Sequence, residues 1–266
     1  MIEIIKSFFL GIVEGITEWL PVSSTGHLIL FNEFLNNDGS FLASDLYIYV
    51  IQLGAILAVV THYFNKLNPF SPKKTPEEKR DTWSMWFKVV VACVPAAVAG
   101  LLLNDYMEKF ENWQVVSATL ILYGIAFIVI EKYNKRTAIT SMSEMTYKKA
   151  ILIGLFQVLS IIPGTSRSGS TILGGMLLGA SRSLSAEFSF FLAIPVMFGV
   201  SFLKIITFEG MIDWTLLATG MIVSYIVSMI SIKFLTNYVK KHSFSAFGWY
   251  RIILAVIVIA YFAIIG

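Results

Sequence analysis

Glu14-Gly-Ile-Thr-Glu18-Trp-Leu-Pro21-Val-Ser23-Ser24-Thr25-Gly26-His27 sets two carboxylates, a run of hydroxyls, a glycine and a histidine into a chain that is otherwise mostly apolar. A helix over Glu14 to Leu20 puts both acids on one face through their i, i+4 spacing. Pro21 disfavours helix at Leu20 and opens a turn where the hydroxyls begin. Two acids aimed at a polar loop form a natural seat for a cation beside a phosphate.

Outward from this stretch, the chain of 266 residues is 56% apolar and 14% charged, with mean hydropathy +0.74. A soluble domain carries roughly 25% charged residues, so the chain reads as an integral membrane protein without a separate soluble domain. The N-terminal stretch lacks a basic leader and carries acids, and is read as retained rather than cleaved. A net charge of +3 is too small to suggest nucleic acid as a partner. Cys93, the only cysteine, excludes an internal disulfide and a cysteine metal cluster.

Residues 46–64, 86–103, 114–131, 187–205, 214–235 and 250–265 each approach the ~20 residues that span a bilayer. The connections 65–85, 132–149 and 236–249 are basic, with Lys66, Lys73, Lys74, Lys79 and Arg80 in the first and Lys240 and Lys241 in the last. The positive-inside rule assigns all three to the cytoplasm. The 104–113 and 206–213 loops carry Asp105, Glu108, Glu111, Glu209 and Asp213 and face outward.

Two further apolar segments, 4–31 and 149–180, are each broken by proline, glycine and hydroxyl residues. A single crossing by either would invert the loop charges on one side, so each is predicted to enter and leave on the same side. Such re-entrant backbone needs a covering protein wall or a water-filled cavity. Shifting the chain by 143 residues superposes Gly11 on Gly154, Glu14 on Gln157, Ser23 on Ser166, Thr25 on Ser168 and Gly26 on Gly169. The predicted fold is therefore an all-α polytopic membrane protein of six transmembrane helices plus two re-entrant helix-loop-helix hairpins. It forms an inverted-topology repeat, residues 1–131 and 148–266, with a site between the two broken segments. Both termini are expected outside.

The second broken segment reads Pro163-Gly-Thr165-Ser166-Arg167-Ser168-Gly169-Ser170-Thr171. An arginine at membrane depth is costly and usually functional or paired. Its planar fork suits phosphate, and a helix restarting near Ser170 would aim free amides at an anion. Pairing of Arg167 with Glu14 or Glu18 is the structural alternative. Glu14 and Glu18 suit a divalent cation, Mg²⁺ or Ca²⁺, that also takes substrate phosphate oxygens; alternatively, one of them is a general base. His27, three residues after Ser24, is a candidate acid–base partner for its hydroxyl. Glu187 reads either as a partner of Arg167 or as an interfacial charge.

Glu14-x-x-x-Glu18-x-x-Pro-Val-Ser-Ser-Thr-Gly-His27 together with Pro163-Gly-Thr-Ser-Arg167-Ser-Gly resembles the signature motifs of the bacterial undecaprenyl-diphosphatases, the bacitracin-resistance family. The resemblance spans essentially the whole chain and includes Glu187-Phe-Ser-Phe. It implies a plasma-membrane hydrolase that removes the terminal phosphate of a polyprenyl diphosphate lipid, with its site open to the outer leaflet. It also implies a divalent cation, with Glu14, Glu18, Ser24, His27 and Arg167 catalytic. Ser23, Thr25, Gly26, Ser166, Ser168, Gly169 and Thr171 are the expected phosphate-binding positions. Membrane lipid is the other expected partner, and a homodimer is compatible with the sequence, which is otherwise silent on assembly. A transporter or flippase for an anionic lipid or small anion is the competing class, because broken helices in inverted repeats are a transporter architecture.

Overall fold

The computed structural model describes residues 1–24, 26–28, 31, 40–110, 112–133 and 137–265. Its principal helices are α1 (Ile2–Thr17), α2 (Asp45–His62), α3 (Pro76–Met107), α4 (Trp113–Tyr133), α5 (Tyr147–Val158), α6 (Arg167–Leu177), α7 (Arg182–Thr207), α8 (Trp214–Tyr238) and α9 (Ser245–Ile265). No strand is present among the described residues, apart from one isolated bridge between Ile139 and Ala180.

Six of these helices, α2, α3, α4, α7, α8 and α9, are long and apolar enough to cross a membrane, matching the six predicted spans. Only 22% of the apolar window of α3 is buried inside the molecule. Leu101 and Leu102 are 84% and 76% exposed. Such outward apolar surface suits lipid and would be unfavourable in water. Three helices begin five or more residues before their predicted starts: α3 at Pro76, α7 at Arg182 and α9 at Ser245. Polar side chains there do not oppose helix, since hydropathy marks a buried length and not a helix end.

Helix packing is close. α1 lies along α8, α3 along α5, α4 along α9, and α2 packs on both α7 and α8. Small residues allow these approaches. A Cβ at Gly154 of α5 would fall 2.1 Å from the Ala92 carbonyl oxygen of α3, and one at Gly11 of α1 would fall 2.7 Å from that of Gly220 on α8. Gly154→Ala is therefore expected to push α3 and α5 apart at a cost of about 1–3 kcal/mol, read as a lower melting temperature in detergent. Gly100→Ala, whose Cβ would touch nothing, is the control and is expected to leave melting unchanged or slightly raised.

The largest apolar cluster joins Trp19 to Phe127, Phe188, Phe190, Phe191 and Phe244, so the turn after α1 is anchored in the core. Trp19 is fully buried and meets Phe190 edge-on at 5.4 Å. At one end Glu131 of α4 accepts from Arg182 and from the Phe244 amide, bracing α4, α7 and the segment before α9. Cys93 is buried and unbridged, as expected.

Candidate functional site

α1 stops at Thr17, earlier than the helix to Leu20 that the sequence suggests. Glu18 nevertheless keeps helical backbone angles, and its N–H donates to the Glu14 carbonyl at 3.0 Å, so the i, i+4 relation of the two acids survives. Trp19 to Val22 turn, and Ser24 and Gly26 to Leu28 resume helical conformation. In the second segment α5 runs through a single 3₁₀ turn, Leu159–Ile161, to a loop and then α6. Helix restarts at Arg167 rather than near Ser170, because the Ser166 side chain accepts from the Gly169 N–H at 3.1 Å and caps it there.

Both loops end on the same device. Ser23 (φ 73°) and Ser166 (φ 72°) are the only non-glycine residues with positive φ among those described. Each side-chain oxygen accepts from the amide three residues on, Gly26 at 3.3 Å and Gly169 at 3.1 Å. Serine in this region costs about 1–3 kcal/mol and persists only where the surroundings impose it. Two helix N-termini with their free amides thus begin at matching points of the two broken segments.

The loops meet through Glu18. Its Oε1 pairs with Arg167 Nη2 at 2.8 Å, and its Oε2 accepts from Ser24 Oγ at 2.8 Å. Arg167 Nη1 donates to the Ser189 carbonyl at 2.7 Å, the guanidinium lies 5.7 Å from the Trp19 ring centroid, and Nε has no partner among the described residues. The pairing alternative for Arg167 is therefore realised with Glu18, in a position that still leaves one N–H unused. Glu187 instead pairs with Lys66 at 2.5 Å.

Glu14 is completely buried, and neither carboxylate oxygen has a hydrogen-bond partner among the described residues. It lies within electrostatic reach of Glu18 and Arg167. An unpartnered buried carboxylate is costly unless a cation or donor comes to it. These oxygen donors suit a hard cation such as Mg²⁺ or Ca²⁺. No third His, Cys, Asp or Glu joins them among the described residues. Further coordination would fall to phosphate oxygens and water, so the donor set fits a divalent ion that binds together with a phosphate.

His27 is not the partner of Ser24. Its Nδ1 lies 2.7 Å from the Ser23 carbonyl and its Nε2 2.7 Å from the Tyr250 hydroxyl, with the two rings stacked 6° from parallel. A carbonyl can only accept, so Nδ1 carries a proton, and both ring nitrogens are engaged, Nε2 by the Tyr250 hydroxyl. The group in contact with the Ser24 hydroxyl is Glu18.

Of the other expected phosphate-binding positions, only Ser166 keeps appreciable exposure, alongside Ser24 and Arg167. Ser23, Gly26, Ser168, Gly169 and Thr171 are buried and build the walls. Ser168 Oγ reaches the Glu18 carbonyl at 3.2 Å, and Thr171 Oγ1 donates to Ser189 Oγ at 2.7 Å. Thr25 lies outside the described residues.

The sequence reading passes over Arg251. This residue of α9 is fully buried, with Nη1 donating to the Pro21 carbonyl at 3.1 Å and Nη2 to those of Gly164 and Thr165 at 2.9 and 3.0 Å. One guanidinium thus ties the two loops together, stacked over Tyr123 at 5.3 Å. Tyr123 itself accepts from Ser170 at 2.9 Å. The overlooked signal is that Arg251 is the only charge in the 250–265 span.

Residues 7–257 match the family model described as bacitracin resistance protein BacA. The chain is 59% identical over 265 residues to an undecaprenyl-diphosphatase of Enterococcus faecalis, covering 96% of each. It is 54% identical over the full length of both chains to an undecaprenyl-diphosphatase of Lactiplantibacillus plantarum. With one from Streptococcus thermophilus it shares 55% identity, over 99% of this chain and 95% of that protein.

Proposed function

The chain belongs to the bacitracin resistance protein BacA family, and on that premise we propose that it hydrolyses undecaprenyl diphosphate to undecaprenyl phosphate and inorganic phosphate within the membrane. Removing the terminal phosphate returns the lipid carrier to the synthesis of peptidoglycan and other envelope polymers, and accounts for a link to bacitracin resistance. The observation that carries the catalytic reading is the Ser24–Glu18–Arg167 chain of 2.8 Å contacts, which supports reading the three as nucleophile, base and phosphate-binding cation in series.

In this reading the diphosphate lies between the two serine-capped helix starts, with its isoprenoid tail in lipid. Ser24 Oγ attacks the terminal phosphorus as Glu18 takes its proton. The bond to the bridging oxygen breaks, and undecaprenyl phosphate leaves as a weak base that needs little protonation. Water then releases phosphate from Ser24; a water held by Ser24 in place of its oxygen would give the same products directly. Arg167, Ser166 and the amides of α6 neutralise charge growing on the transferred group. His27 holds the loop through the Ser23 carbonyl and Tyr250, acting on Ser24 by position rather than by contact. Glu14 and Glu18 would hold a divalent cation, which when bound offsets phosphate charge.

Residues 1–131 and 148–266 form two inverted repeats whose broken segments re-enter the membrane. Exchange of α1 with α5, α2 with α7, α3 with α8 and α4 with α9 turns the main packing pairs into one another, which supports this arrangement. The matching φ angles of Ser23 and Ser166 support it again. With the basic connections cytoplasmic, the site opens to the outer leaflet of the plasma membrane and both termini lie outside.

The deciding measurement is phosphate release from undecaprenyl diphosphate by purified protein in detergent, where transport has no compartment to act on. Chelator-sensitive release that Ser24→Ala lowers on the order of a hundredfold, about 2.7 kcal/mol of barrier, is expected. Activity unchanged in Ser24→Ala would remove the serine from the mechanism, and no release by folded wild type would remove the phosphatase reading.

A further inference from the structure

Away from this site, where α3 enters the bundle, a cavity of about 270 Å³ is lined by Lys66, Lys88, Thr82, Ser84, Ser143 and Asp81. Lys88 is 5% exposed on a helix apolar enough to span a membrane. Its ammonium has one carbonyl, that of Met142 at 3.0 Å, and the Tyr147 ring at 5.9 Å, and it forms no ion pair with any described residue. A buried ammonium held by a single neutral acceptor retains unused donors and most of its field. Lys74 bonds the Thr82 hydroxyl at 2.8 Å and the Lys66 carbonyl at 3.0 Å, adding a third ammonium beside the cavity. Glu187 pairs with Lys66, Glu78 lies within electrostatic reach of Lys74 and Asp81 lines the cavity, so these acids offset the other lysines and Lys88 is the ammonium that forms no ion pair with a described residue.

The surroundings point to the level of a lipid headgroup. Phe70 and Trp83 pack edge-on at 5.6 Å next to Phe87, and all three are exposed. Exposed aromatic rings beside lysines mark a membrane interface. We propose that this cavity binds a phosphate-bearing anion, with Lys88 and Lys66 on the phosphate and the hydroxyls of Ser84, Thr82 and Ser143 around it, and that its source is an anionic phospholipid of the leaflet on the basic side. The volume exceeds that of one phosphate ion, and the aromatic edge offers a path for an acyl chain. The inference stands apart from the catalytic reading, since Ser24, Glu18 and Arg167 do not line this cavity.

The test is native mass spectrometry of the full chain in detergent, titrated with short-chain phosphatidylglycerol alone and with inorganic phosphate as competitor. One lipid retained saturably per chain, with about tenfold weaker retention in Lys88→Met, is the expected result. Lys240→Gln/Lys241→Gln, which removes charge from another basic connection, is expected to bind as wild type. Displacement by inorganic phosphate at equal concentration would keep the anion site and assign its source to free phosphate. Ser84→Leu fills the cavity without touching a charge; it is expected to abolish retention, and it serves if Lys88→Met does not fold. Equal retention in the folded variants, or no saturable adduct with either probe, overturns the proposal.

Discussion

Arg167→Ala is expected to lower phosphate release on the order of a thousandfold, about 4 kcal/mol of barrier. Two losses combine. The substrate loses the guanidinium that contacts the Ser24–Glu18 pair, and the Glu18 carboxylate keeps only Ser24 as its partner among the described residues. Breaking one side of a buried ion pair costs about 3–5 kcal/mol, so a lower melting temperature is expected with the lost activity. Arg167→Lys keeps the charge but lacks the planar fork that reaches the Ser189 carbonyl and Glu18 together; a loss of roughly ten- to a hundredfold is expected. Glu18→Gln combined with Arg167→Ala is expected to be no worse than the more damaged single variant, since the pair acts as a unit. Fully additive losses would show that the two side chains work independently.

Glu14→Gln is expected to separate activity from stability. Glutamine keeps the shape and removes a buried carboxyl whose ionised form no described residue satisfies, so the melting temperature is expected to hold or rise. Phosphate release is expected to fall on the order of a hundredfold or more, and the residual rate is expected to lose its sensitivity to chelator, because the proposed cation would lose the donor with both oxygens free. The other half of the molecule contains a natural comparison. Gln157, which a shift of 143 residues superposes on Glu14, is equally buried, and its side-chain amide has no partner among the described residues. Full activity with intact chelator sensitivity in Glu14→Gln would remove Glu14 from the cation site.

Much of this architecture was legible in the chain. Hydropathy marked six spans because a bilayer demands a long apolar run for each crossing, and loop charges follow directly from composition. Pro21 and Pro163 with their neighbouring glycines and hydroxyls marked the two breaks, since such residues interrupt helices locally. Glu14, Glu18 and Arg167 stood out because ionised groups at membrane depth are rare. Those readings depend on near neighbours in sequence, and they survive with small shifts of helix ends.

What each polar group touches was decided only by the tertiary structure. Arg251 reaches Pro21 across 230 residues, and His27 reaches Tyr250 across 223. No local spacing encodes such a pairing. His27 sits three residues from Ser24, yet its ring meets the Ser23 carbonyl and the Tyr250 hydroxyl, leaving the serine to Glu18. The chain by itself specified which groups the membrane must bury; only the packing of distant helices, each obliged to satisfy those groups without water, chose their partners.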